Sequence, residues 1–249
     1  MVSPLGPSLQ VEEVNEKFYH MRWPDADKVD SAEYGMGKWE STFPAAEWDD
    51  NVEIESVACP IIPGHARAGT RIGDLRIVLT SPRIGDFVWT WQSECLITEG
   101  VRQLFEGTGV SGYDLSPVTV TKVKRKPHDT GPHLPALWEV VVTGRGGDAL
   151  VESGVRVIYR HEPCKLVRYS SFTNGLLVDR NLWDGSDFFT VNGYPKMMLV
   201  SERVKEVIVA NALENCMLIE ASKMTWGSVS RPEDIDWLGI EREATNGAR

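Results

Sequence analysis

A ten-residue stretch that occurs twice sets the strongest limit on how this chain can fold. Leu96-Ile97-Thr98-Glu99-Gly100-Val101-Arg102-Gln103-Leu104-Phe105 returns 103 residues later as Leu199-Val200-Ser201-Glu202-Arg203-Val204-Lys205-Glu206-Val207-Ile208. The correspondence runs on through Val110 with Leu213 and Leu115 with Leu218. Each copy opens on apolar residues suited to a strand end. Thr98 and Ser201 then stand where an N-cap belongs, with side-chain oxygens able to accept from the first turn. Glu99 and Glu202 bring negative charge to the positive end of the helix dipole. Val101, Leu104 and Phe105, like Val204, Val207 and Ile208, repeat at i, i+3 and i+4, the spacing of one buried helix face. Gly107 and Gly109 end the first helix, since glycine accepts positive φ, and Asn211 and Asn215 end the second. Strands follow at residues 113–120 and 216–221. The reading is strand, capped helix, strand, used twice. Two copies are too few for a solenoid, which leaves a duplicated unit or a local solution reached twice.

The remaining segments are short strands between turns. Alternation appears within residues 74–91, 118–123, 137–143 and 155–159, while residues 24–47 and 124–135 read as loops and 144–148 as a turn. Many short strands with two helices predict an α+β fold, mainly antiparallel, built on two strand–helix–strand units related by a weak internal repeat. The length suits an N-terminal half at 1–150 carrying the first unit and a C-terminal half at 151–249 carrying the second, or one continuous domain.

Charge and hydropathy narrow the partners. No apolar run reaches the roughly 18–20 residues that span a bilayer. The first thirteen residues lack a basic n-region and an apolar h-region, so no signal peptide and a cytoplasmic location are expected. A formal charge of −10 argues against nucleic acid, whose binding depends on Lys and Arg at phosphates. An acidic surface suits a basic protein partner, which it attracts and steers.

Several apparent motifs dissolve. Gly107-Thr108-Gly109-Val110-Ser111-Gly112 has the G-x-G-x-x-G spacing, but it follows a helix and precedes a strand. That reverses the order that brings pyrophosphate to a helix N-terminus, so no nucleotide cofactor is expected. His20, His65, His128, His133 and His161 form no H-E-x-x-H pattern. Cys59, Cys95, Cys164 and Cys216 are scattered, which suggests reduced core thiols and neither a zinc clip nor a redox pair. His161 and Cys164 are near neighbours with no third group marked by the sequence. Asp184 and Asp187 are the nearest thing to a carboxylate pair.

The order of segments resembles a known family. Around Trp48 lies an acidic stretch, followed by Pro60-Ile61-Ile62-Pro63-Gly64, Gly73-Asp74-Leu75 and the first repeat with Gly109, Val110, Gly112 and Tyr113. After a strand hairpin come Cys164 and then Leu182-Trp183-Asp184-Gly185-Ser186-Asp187-Phe188-Phe189, just before the second repeat. Across roughly residues 10–222 this is similar to the double-CxxCG-motif immunity proteins of myxobacterial contact-dependent toxin systems, the swarming-inhibition type. The resemblance implies a cytoplasmic binding protein that neutralises a cognate toxin, and no enzyme. The chain departs from the motif itself. The first cysteine pair would fall near Glu33-Tyr34-Gly35-Met36-Gly37, and the second would begin at Cys164 with Val167-Arg168 where its second cysteine and glycine belong. No bound metal or other cofactor is therefore expected, and packing by Trp39 and Tyr169 stands in for it.

The partner surface expected from the residues is the densest acidic segment outside the tail: Glu47, Trp48, Asp49, Asp50, Glu53 and Glu55. Alternation of Val52 and Ile54 with Glu53 and Glu55 predicts a strand with one negative face, around an aromatic anchor of the kind that concentrates binding energy. A solvated edge strand guarded by charge has the same pattern. Two further readings remain: a small-molecule enzyme using Asp184, Asp187 and His161, and a scaffold subunit of a larger assembly.

Overall fold

A computed structural model describes residues 16–24, 44–55, 59–61, 71–82, 84–124 and 136–226. Among them β1 (Phe18–Arg22), β2 (Ala46–Trp48), β3 (Glu53–Ile54), β4 (Arg71–Ile72), β5 (Arg76–Leu79), β6 (Phe87–Trp89) and β7 (Cys95–Thr98) precede α1 (Glu99–Thr108). Between the helices lie β8 (Tyr113–Pro117), β9 (Thr119–Val123), β10 (Leu137–Val142), β11 (Gly144–Arg145), β12 (Val157–His161), β13 (Leu166–Tyr169), β14 (Phe188–Thr190) and β15 (Leu199–Ser201). α2 (Glu202–Ala210) and β16 (Met217–Glu220) follow. The fold is α+β with mainly short antiparallel strands. Two pairs are parallel: β5 with β9 and β11 with β14.

The repeat governs two sheets. One has the order β6-β7-β10-β8, and the other contains β14-β15-β1-β16 with β11 added at its edge. In each, a helix joins two strands that are separated by one antiparallel strand. That central strand arrives after the helix in the first unit, as β10, and before everything else in the second, as β1. The registers agree residue by residue. Phe87 faces Ile97 as Phe188 faces Val200, and Trp138 faces Ile97 as Tyr19 faces Val200. β1, from the N-terminal half, thus sits in the middle of the sheet built by the C-terminal half.

The same chemistry recurs at matching places. Trp138 Nε1–H donates to Glu99 at 2.8 Å under the Arg102 guanidinium, and Tyr19 O–H donates to Glu202 at 3.4 Å under the Lys205 ammonium. Arg102, Gln103 and Trp138 hydrogen bonds hold the Glu99 carboxyl down at about 2. Each helix buries two residues, Val101 and Phe105 or Val204 and Ile208, while Leu104 and Val207 are half-buried. All four buried residues meet Phe87, Phe188, Met21 and Val200 in one core shared by the two units. Two further large cores are present, one under β5 and one beneath β14–β15, and a small one lies in the β12–β13 hairpin.

Local expectations need adjustment. Thr98 and Ser201 occupy the N-cap positions with extended backbones, but neither side chain caps its helix; the Ser201 hydroxyl donates to the Asp187 carboxylate at 2.7 Å instead. Gly109 takes the left-handed C-cap position, whereas Gly107 stays inside α1. Asn211 ends α2 with its side-chain amide on the Val207 carbonyl. Gly144–Arg145, expected as part of a turn, is a short strand against Phe189 and Thr190. The loops expected at 24–47 and 124–135 lie largely outside the described residues, as do Trp39, His65, His128 and His133.

Candidate functional site

The acidic segment is two elements rather than one strand. Asp49 accepts from the Asn51 backbone N–H at 3.0 Å, and this side-chain turn breaks β2 from β3. β2 joins β5 in the β2-β5-β9 sheet, and among the described strands β3 pairs with β4 alone. Glu47 is tied to Lys124 at 2.6 Å. Asp49 also accepts from Thr121 at 2.6 Å, and these hydrogen bonds, Thr121's first, hold its carboxyl below the ordinary range. Trp48 is half-buried against the core under β5, with its indole N–H on Glu94 at 3.2 Å, so it is not an exposed anchor. The alternation predicts one wet, negative face, but Ile54 is itself 49% exposed, and Ile72 on the paired strand is 56% exposed. What reaches solvent is therefore the β3–β4 ribbon, with Glu53, Glu55, Ile54 and Ile72, and Asp50 beside it. Two paired strands have too little backbone pairing to bury either face, which is why alternation failed to sort inside from outside.

The three residues of the enzyme reading each have partners of their own. Burial pushes the Asp184 carboxyl up, but bonds from Ser186 and from the Arg145 backbone N–H at 2.8 Å outweigh it and hold the group low. Asp187 is buried and saturated: it accepts from Ser111 N–H at 2.9 Å, Ser111 Oγ at 3.2 Å and Ser201 Oγ at 2.7 Å, and pairs with Arg203 at 3.3 Å. His161 lies at the end of β12 beside Cys59 and Cys164.

Asp187 has a counterpart in the first unit, Asp86. Asp86 accepts from Glu214 N–H at 2.8 Å, as Asp187 accepts from Ser111. Phe87 N–H donates to the Glu214 carbonyl, as Phe188 N–H donates to that of Ser111. Each unit's Asp-Phe pair thus clasps the loop that leaves the other unit's helix. Where this loop turns, Gly112 has φ 85° and Asn215 has φ 65°. A Cβ on Gly112 would lie 2.1 Å from the Phe188 carbonyl oxygen. Asn215 fills its equivalent place with an amide that donates to the Phe87 carbonyl at 2.7 Å. The shared Asp-Phe pairs were the available signal, but their spacing differs by two from that of the helices, which hid them.

A cleft of about 500 Å³ opens between Lys17, Leu150, Leu176 and residues 178–181, with Glu220 on its wall. At its wall Lys17 approaches Glu220 at 3.8 Å, and Arg180 donates to the Glu16 carbonyl at 2.6 Å. No described helix is long and apolar enough to cross a membrane. Compared with protein-family models and with curated proteins, the chain finds no match.

Proposed function

We propose that this chain is an immunity protein, a cytoplasmic binding protein that neutralises a cognate bacterial toxin by covering it. The observation that carries this reading over an enzyme is the use made of the carboxylates. Asp184 and Asp187 are both spent on holding turns and clasps together. Of the acidic segment, a short ribbon remains outward with two exposed isoleucines, Ile54 and Ile72. An apolar patch rimmed by like charge suits a basic protein surface: apolar contact supplies affinity and the charges steer approach. The resemblance to the double-CxxCG immunity proteins points the same way.

The test is protection. A toxin encoded beside this chain in its native genome is expressed in a susceptible host with and without it. Growth should be restored by co-expression, and purified toxin should bind with association that slows as salt rises. Reversing Glu53 and Glu55 to Lys should slow association at low salt and flatten its salt dependence. Asp49 is unsuitable for reversal because it builds the turn. Toxicity unchanged by co-expression would refute the proposal, and salt-independent association would move the interface off the ribbon.

A further inference from the structure

The β12–β13 hairpin brings three metal-ligating side chains to one point. Its turn, Glu162–Cys164, sets His161 and Cys164 three residues apart, and Lys165 at φ 54° returns the chain into β13. Cys59, which follows β3, comes in from a distant part of the sequence. The His161 Nδ1 to Cys164 Sγ distance is 3.1 Å, that from Cys59 Sγ to His161 Nδ1 is 3.7 Å, and all three atoms lie within 4.8 Å of one another. Tetrahedral zinc with Zn–S near 2.3 Å and Zn–N near 2.1 Å demands ligand–ligand edges of roughly 3.5–3.8 Å. The cluster needs only small shifts to meet that.

We propose that Cys59, His161 and Cys164 form a zinc-binding site. The proposal rests on the placement of these three side chains and is independent of the toxin-binding reading. Four observations support it. The donor set is two sulfurs and one imidazole nitrogen, which selects zinc over magnesium or calcium. Two thiolates and a neutral imidazole balance a divalent cation, so the buried site carries no net charge. The Ile61 backbone N–H donates to Cys59 Sγ at 3.4 Å, an outer-shell bond of the kind that orients a metal ligand. Lastly, the hairpin pairs with no other described strand, and among the described residues its core is small: Tyr159, Cys164 and Leu166, with Cys59 and Ile158 packed against them. A two-stranded hairpin is marginal alone, and a metal tying it to Cys59 would supply what packing does not. Cys95 and Cys216 form no such site: both are fully buried in apolar surroundings that push their thiols up.

The full chain, purified and dialysed under reducing conditions with zinc and then against buffer, should retain about one zinc per molecule by elemental analysis. Cobalt in its place should give thiolate-to-metal charge-transfer absorption and visible bands of tetrahedral intensity. Cys59→Ser should weaken zinc binding by more than the roughly 10–100-fold that an outer-shell change costs, whereas Cys216→Ser should leave stoichiometry and cobalt spectrum unchanged. If a variant fails to fold, the cobalt spectrum and chelator-dependent thiol reactivity of the native chain still decide. A folded native chain that takes up no zinc, a cobalt spectrum without sulfur charge transfer, or retention unaffected by Cys59→Ser would each overturn the site. So would a Cys59–Cys164 disulfide found in the reduced preparation.

Discussion

At the scale of the residue, the middle of each central strand holds a buried titratable group: His20 in β1 and, at the equivalent register, Glu139 in β10. Burial first, and the Arg22 charge second, lower the His20 imidazole from 6.5 to about 4. Its Nδ1 meets no hydrogen-bond partner. Folded His20 therefore stays neutral at pH values where the unfolded chain is already protonated. Its contribution to stability is full above about pH 6.5 and is lost as the pH falls towards about 4, up to about 3 kcal/mol in all. Urea titrations of wild type and His20→Leu across this window should diverge on acidification, with the variant keeping more of its stability; parallel curves would remove His20 from the acid response. Glu139 is handled differently. Burial pushes its carboxyl up, Arg71 pulls it back through a short ion pair, and burial prevails. Arg71→Met should cost about 3–5 kcal/mol by stranding the carboxylate, and adding Glu139→Leu should recover most of it. A double variant no more stable than the single one would show that Arg71 matters through packing. Neither buried residue could be read from the sequence, because burial at these positions follows from which strands flank them.

At the scale of the element, both helices were legible, and so were the strands beside them. Their apolar spacing of three and four forces one face inward, and Gly109 and Asn211 stop them as expected. What the local pattern could not show is where the hydroxyls go. Ser201 sits at a cap position, yet its oxygen serves Asp187, a residue fourteen positions earlier that β-pairing brings alongside. Thr98, at the same position in α1, makes no such bond. The two substitutions should therefore separate. Ser201→Ala should cost about 2 kcal/mol, the loss of a buried bond to a carboxylate, while Thr98→Ala should stay within about 0.5 kcal/mol. Phe105→Ala, which empties the centre of the shared core, should cost about 3–5 kcal/mol. Equal effects of the two hydroxyl changes in chemical denaturation would restore capping as their common role. The acidic segment was legible only in part. Its charge density was plain, but the turn at Asp49 and the seating of Trp48 depend on Thr121 and Glu94, partners that lie far away in sequence.

At the scale of the whole molecule, the repeat becomes an architecture. Two sheets with one strand order meet in a core that takes residues from both helices, and each unit borrows from across the chain. The second takes its central strand from the N-terminus, and each grips the other's post-helix loop through an Asp-Phe clasp. This arrangement has a consequence for unfolding. If the units were separable, opening one would leave the other intact; here neither sheet keeps its clasp once its partner opens. The amides of Phe87, Ser111, Phe188 and Glu214 should accordingly exchange only through global unfolding. Asp86→Asn and Asp187→Asn should each lower a single cooperative transition without splitting it. The cost should be larger for Asp187, about 3 kcal/mol against about 1 kcal/mol, because Asp187 also answers Ser201 and Arg203 whereas Asp86 holds the Glu214 amide. Two resolved transitions, or a Ser111 amide that exchanges far faster than the α1 core in wild type, would mean that the clasps only decorate two independent units. A single transition with both clasp amides protected to the same degree would make the reciprocal grip the reason the two copies fold as one.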